Sequence, residues 1–213
     1  MSDTTTLPDA ATAVAVPLTP AAQATRAAIM DTADRLFRTL GYQKTTVADI
    51  ARELRMSPAN VYRFFPSKSA ITEAIAERLL EQVIAAVRAI AAGPGTPPDR
   101  VRALFRLLQE QTMALFFHER RMHDMVAAAI EEHWSVVERY VHSIDEAFVQ
   151  IVRDGQAAGE FGGMDPEQAG RLMHCSCAMF THPTLVQQCL DTKDLPEIAT
   201  GMAEFCLRAL RPD

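Results

Sequence analysis

Apolar positions along this chain recur at the three-and-four spacing of α-helices, in runs separated by capping residues. Ile29, Ala33, Leu36, Phe37 and Leu40 fall at offsets 0, 4, 7, 8 and 11, one helical face, and Gly41 stands where a C′ glycine would end it. A second helix is predicted to begin at Thr46, whose hydroxyl and the Asp49 carboxylate three residues on resemble a capping box; Ile50, Ala51 and Leu54 form its apolar face. Ser57 caps a third, with Pro58 at its first position, where a missing N–H costs nothing, and Val61 and Phe65 face the core. Pro66 breaks the chain and Ser67 caps a fourth helix reaching about Ala92.

The stretch AAGPGTPP, residues 91–98, is the clearest break. Beyond it the pattern predicts helices over about 99–118, 123–129, 132–158, 166–181 and 196–210. The third of these carries Trp134, Val137, Val141, Ile144, Phe148 and Ile151 at helical spacing; the last shows Ile198, Met202, Phe205 and Ala209 on one face. No strand and no internal repeat is expected. The fold class is therefore all-α, about nine helices: a disordered arm over 1–22, a small domain over 23–80 and a larger helical domain over 81–213.

Composition narrows the class. Hydrophobic residues make up 48% of the 213 and charged ones 23%, as in ordinary globular proteins. The Ala-, Thr- and Pro-rich start lacks the basic n-region of a secretion signal, and no apolar run approaches the roughly 20 residues of a membrane span, so a cytoplasmic chain with reduced thiols is expected. Net charge is −6, which disfavours indiscriminate nucleic-acid binding, but the charge is unevenly placed. Residues 22–80 hold nine Lys or Arg against six Asp or Glu, and residues 81–213 hold twelve against nineteen. A small basic front on an acidic body can present one positive face.

Residues 46–65 form two short helices joined by a tight turn, the geometry in which a second helix enters the major groove of DNA. Ala59, Asn60, Tyr62 and Arg63 remain outward on that helix. Asn pairs with an adenine edge and Arg with guanine, Pro58 and Ala59 suit a thymine methyl, and Thr46, Tyr62, Ser67 and Lys68 suit phosphates. The run TTVADIARELRMSPANVYRFFPSKSAI, residues 45–71, resembles the DNA-binding domain of the TetR family of bacterial transcriptional regulators. Thr46, Ile50, Ala51, Met56, Ser57, Val61, Tyr62, Phe65, Ser67 and Lys68 fill that family's pattern. The resemblance implies phosphate anchoring by Thr46, Tyr62 and Lys68, and base contact by Pro58, Ala59, Asn60 and Arg63. It also implies a homodimer joined by the last two helices, a palindromic double-stranded DNA operator and a small-molecule effector. The family commonly has Gly where this chain has Arg55, so a positive φ there would strain an Arg.

Candidate effector-lining residues are Phe105, Met113, Phe117, Met125, Trp134, Phe148, Met173 and Phe180, aromatics and thioethers that suit an apolar or amphipathic ligand. An alternative reads His174 and Cys177, three apart on a helix, as part of a metal or thiol sensor. No phosphate loop, nucleophile elbow or His-Glu metal motif is present, so an enzyme is not expected, nor a cofactor, a metal or a membrane partner. A repressor released by its effector is the expected function.

Overall fold

The computed structural model describes residues 19–114, 135–182, 185–186 and 192–212. Among them are eight α-helices and no strand: α1 (Pro20–Leu40), α2 (Val47–Glu53), α3 (Pro58–Tyr62), α4 (Lys68–Ala91), α5 (Pro97–Thr112), α6 (Ser135–Ala157), α7 (Pro166–Thr181) and α8 (Leu195–Ala209). The short helix expected over 123–129 lies outside the described residues.

The helix starts follow from the capping chemistry. Thr19, Thr46, Ser57, Ser67, Thr96 and Asp165 each accept a backbone N–H of the first turn through the side chain. At Thr46 the box closes both ways, because the Asp49 carboxylate also accepts the Thr46 N–H at 2.9 Å. Helix α1 begins nine residues before its apolar stripe does and takes in Pro20–Ala22, which the sequence pattern assigns to the arm. The reason is local: Thr19 caps and Pro20 sits at the helix start, a stop-start signal independent of hydrophobicity.

Two apolar cores result. The smaller packs Ile29, Ala33 and Phe37 of α1 with Ile50, Val61, Phe65 and with Ile71 and Ile75 of α4. The larger packs Val83 and Val87 of α4 with Leu104, Phe105 and Leu108, Ile144, Phe148 and Ile151, Met173, Cys177 and Phe180, and Ala199, Ala203 and Leu207. A single continuous helix, α4, thus belongs to both cores and crosses the expected boundary at residue 80 without a break.

Glycine sets the closest crossing. A Cβ on Gly170 would lie 2.6 Å from Val149 Cγ2 and 3.0 Å from the Val149 backbone nitrogen, so α7 rests almost on the α6 backbone. Buried Arg100 ties α5 to its neighbours. Its Nη1 donates to the Ala91 carbonyl at the end of α4 at 2.6 Å and to Asp154 of α6 at 2.7 Å, while its Nε–H has no partner among the described residues.

Candidate nucleic-acid interface

The α2–turn–α3 unit is held from behind. Val61 and Phe65 are buried, so α3 cannot rotate about its own axis. Arg26 of α1 donates from Nη1 to the Phe64 carbonyl at 3.2 Å and lies 4.1 Å from the Phe65 ring centroid. That clamp fixes the end of the recognition helix. An arginine in the second turn of a helix gives no distinctive pattern, so only the folded geometry reveals it.

The turn itself is a Schellman motif. The Met56 N–H donates to the Ala51 carbonyl at 2.9 Å and the Arg55 N–H to the Arg52 carbonyl at 3.1 Å. Arg55 occupies the left-handed position at φ 52°, the only non-glycine positive φ among the described residues. The strain anticipated from an Arg in place of Gly is therefore present. Its exposed guanidinium makes no hydrogen bond or ion pair among the described residues.

The eight expected DNA-contacting residues are found in different states. Pro58, Ala59 and Arg63 are exposed, Tyr62 is 51% exposed, and Arg63 has no partner among the described residues. Asn60 is half-buried, its amide leaning 3.8 Å toward the Met56 sulfur, a weak contact that a base edge can replace. Ser57 and Thr46 spend their side-chain oxygens on caps. The Thr46 hydroxyl also donates to Asp49 at 2.6 Å, which, with the Thr46 N–H, holds that carboxyl below its ordinary range. Lys68 is turned inward: its Nζ donates to the Tyr42 carbonyl at 2.6 Å and lies 4.0 Å from the Tyr42 ring centroid, and partial burial lowers its pKa. One ammonium donor is thus committed to joining α4 to the α1–α2 turn.

The expected effector residues divide differently. Phe105, Phe148, Met173 and Phe180 are buried in one cluster, with Phe105–Phe148 centroids 5.5 Å apart and Phe105–Phe180 centroids 5.9 Å apart, and Met113 packs against it. Phe117, Met125 and Trp134 lie outside the described residues. Two buried polar side chains that the sequence reading passed over border this core. Gln109 of α5 is almost wholly enclosed, and burial raises the Tyr140 hydroxyl's pKa; neither makes a hydrogen bond among the described residues.

His174 and Cys177 are not aimed at a common point. His174 Nδ1 is 2.7 Å from Asp145 Oδ1, whereas the Cys177 thiol donates to the Met173 carbonyl and burial pushes its pKa well up. No group of three or more metal-ligating side chains occurs among the described residues. No described helix is long and apolar enough to cross a membrane.

Comparison with known proteins places this geometry in a family. Residues 29–75 match the family described as bacterial regulatory proteins, tetR family, and residues 97–199 match the tetracyclin repressor-like C-terminal domain. The chain belongs to the TetR family and is a transcriptional regulator with a helix-turn-helix DNA-binding domain and a C-terminal ligand-binding domain. No protein of curated function matches it. A TetR-family regulator from Pectobacterium atrosepticum is similar at TM-score 0.68 and 19% identity, covering 91% of this chain and 98% of that one. SmeT, the repressor of the Stenotrophomonas maltophilia multidrug efflux pump SmeDEF, is similar at TM-score 0.65 and 20% identity over 90% and 93%. The reduced form of Escherichia coli NemR is similar at TM-score 0.60 and 15% identity over 85% and 96%.

Proposed function

We propose that this regulator is a homodimeric repressor that occupies a palindromic operator and is released by a small apolar or amphipathic effector. The observation carrying the DNA-reading part is α3. It is a five-residue helix, capped at its start and clamped at its end, whose exposed Pro58, Ala59, Tyr62 and unpartnered Arg63 have no role inside the protein. Arg63 and Asn60 read base edges, and Pro58 and Ala59 meet thymine methyls. Tyr62 contacts phosphate, as do Lys68 with the donors it retains and the capped N-termini at Thr46, Ser57 and Ser67.

The dimer reading rests on an uncovered apolar face. Of the α8 stripe, Ile198 and Met202 are half-buried against the larger core, whereas Phe205 and Ala209 are exposed; Leu195, Ala199, Ala203, Cys206 and Leu207 face inward. Phe205 is 69% exposed, and Leu172 and Met179 of α7 are 55% and 39% exposed. A second copy meeting this face builds a four-helix interface about a twofold axis and sets two α3 helices about one DNA turn apart.

The effector reading draws on the aromatic core of Phe105, Phe148 and Phe180, with the half-buried Tyr140 packed against it, whose hydroxyl suits one polar group on an otherwise apolar ligand. Selection of bound sequences from a random DNA pool, with reduced protein, tests the whole. A twofold-symmetric site supports the reading. Recovery of no specific sequence by protein unfolded and refolded free of ligand refutes it.

A further inference from the structure

A cleft of about 640 Å³ opens on the side of α6 away from the aromatic core, walled by the end of α4, the outer side of α6 and the start of α7. Its lining is formally neutral, Arg88, Arg153 and Arg171 against Asp145, Glu146 and Glu167, but the pairing is uneven. Every acid lining it already has a cation or imidazole beside it: Glu167 is ion-paired with Arg153, Glu146 Oε1 is 3.1 Å from His142 Nε2, and Asp145 is held by His174. Two further lining arginines, Arg88 of α4 and Arg171 of α7, make no hydrogen bond or ion pair among the described residues. Arg88 lies in the last turn of its helix, where the macrodipole favours a cation. Arg171 lies near the opposite end of α7, where it does not. The rest of the lining is mixed, with the hydrocarbon of Ala91, Ala92, Ala147 and Val149 beside the polar Ser143 and Gln150.

We propose that this cleft is a second ligand site, separate from the aromatic core, for a small dianion whose two ends are carboxylate or phosphate groups joined by a short body. A guanidinium presents a planar fork that matches either group with two parallel hydrogen bonds, and each fork here is free to do so. Because the two arginines sit on different helices, a ligand spanning them ties α4 to α7. Helix α4 carries the DNA-binding head, so occupancy acts on operator affinity. That consequence rests on the regulator reading above, whereas the site itself does not.

Calorimetric titration of the full-length protein without DNA, at fixed ionic strength, tests the site. The probes are glutarate, pyrophosphate and the monoanion hexanoate. Saturable binding of one dianion per chain is expected, weakened at least 10-fold in Arg88→Gln and in Arg171→Gln, less in Arg88→Lys, and unchanged in Arg106→Gln, an exposed arginine on α5 outside the cleft. Hexanoate should bind more weakly than the dianions. Tighter binding of glutarate identifies the carboxylate source, and tighter binding of pyrophosphate the phosphate one. The absence of saturable dianion binding, or equal binding by the Arg88 and Arg171 variants, overturns the proposal. So does a shift of either variant from dimer to monomer in sedimentation, which would assign these arginines to the subunit interface. None of these outcomes depends on operator binding, so failure here and failure of the repressor reading are separable.

Discussion

Replacing Arg55 with glycine should make this protein more stable while weakening its hold on DNA. Arg55 closes a Schellman turn at φ 52°, where a Cβ crowds the following carbonyl at a cost of about 1–2 kcal/mol. Glycine removes that cost but gains freedom in the unfolded chain worth about 0.4–1 kcal/mol. The net expectation is about 0.5–1 kcal/mol of stabilisation, or roughly 1–4 °C in Tm for a chain of this length. The same motif occurs a second time in the molecule: at the end of α6 the Glu160 N–H donates to the Gly155 carbonyl at 2.9 Å and the Gly159 N–H to the Gln156 carbonyl at 3.0 Å, with Gly159 at φ 72°. Gly159→Ala should therefore lose about what Arg55→Gly gains. Arg55→Ala is the necessary control, since it removes the guanidinium and keeps the strained Cβ, and should be no more stable than the parent. Thermal unfolding of all three at equal subunit concentration checks the ranking. If the exposed guanidinium reaches a phosphate, both Arg55 variants should lower the salt slope of operator binding by about one per subunit. Equal stability of Arg55→Gly and Arg55→Ala would refute the strain argument. An unchanged salt slope in both would remove Arg55 from the interface.

Arg63→Ala should relax discrimination at one base pair per half-site at a cost of about 1–3 kcal/mol, read by competition among single-base operator variants. Lys68→Ala should lower affinity for all sequences, and because its ammonium also holds the Tyr42 carbonyl, it should lower Tm as well; a change in one without the other would assign Lys68 to a single role. Phe205→Glu places a charge on a face where burial of each Phe contributes about 1.5–3 kcal/mol, so sedimentation should show monomers at concentrations where the parent is dimeric. Acid stability should depend on Asp154. The Arg100 guanidinium holds its carboxyl below the ordinary range, so the stabilisation is complete above the unfolded value of about 3.9 and is lost as pH falls through the lower folded value. The urea midpoint of Asp154→Asn should accordingly fall less between pH 5 and pH 3 than that of the parent.

The DNA-binding half was legible because its signals are local. Thr46, Ser57 and Ser67 announce their helices through side chains that bond within three residues, and each is found capping where the pattern puts it. Arg55 stood out differently, as a departure from the glycine that the resembled family commonly has at that turn. What was not legible is where long side chains go. Lys68 reads as an exposed basic residue, yet it folds back 26 positions to Tyr42; Arg26 and Arg100 read as surface charges, and one clamps α3 while the other is buried between three helices. The α8 stripe shows a subtler limit. Periodicity found Ile198, Met202, Phe205 and Ala209 on one face but carries no sign of whether that face meets the protein's own core or lies uncovered. The inner face places the small Ala199, Ala203 and Cys206 between Leu195 and Leu207, so its middle does not stand out as a stripe, and Ile198 and Met202 border it.

The two cores are joined through α4, and this determines how an effector can act. Ile71 and Ile75 lock one end of the helix into the DNA-binding head, while Val83 and Val87 lock the other into the larger core. Its 24 residues span about 36 Å at 1.5 Å per residue. A tilt of about 5° at the effector end therefore moves the head by about 3 Å, and close-packed cores transmit such a tilt instead of absorbing it. Bidentate base contacts of the kind proposed for Arg63 would tolerate only a fraction of that displacement, so the proposed release would need no unfolding of the head. It does need the effector to prefer the tilted state: moving occupancy from 99:1 to 1:99 requires about 5.5 kcal/mol of differential affinity. Arg100 joins these elements, bonded to the last turn of α4 and to Asp154 of α6, with its Nε–H unpartnered among the described residues. A buried group left incomplete in one state and satisfied in the other is a source of such preference. Changes at this joint should therefore alter the effector concentration needed for release more than they alter operator contacts.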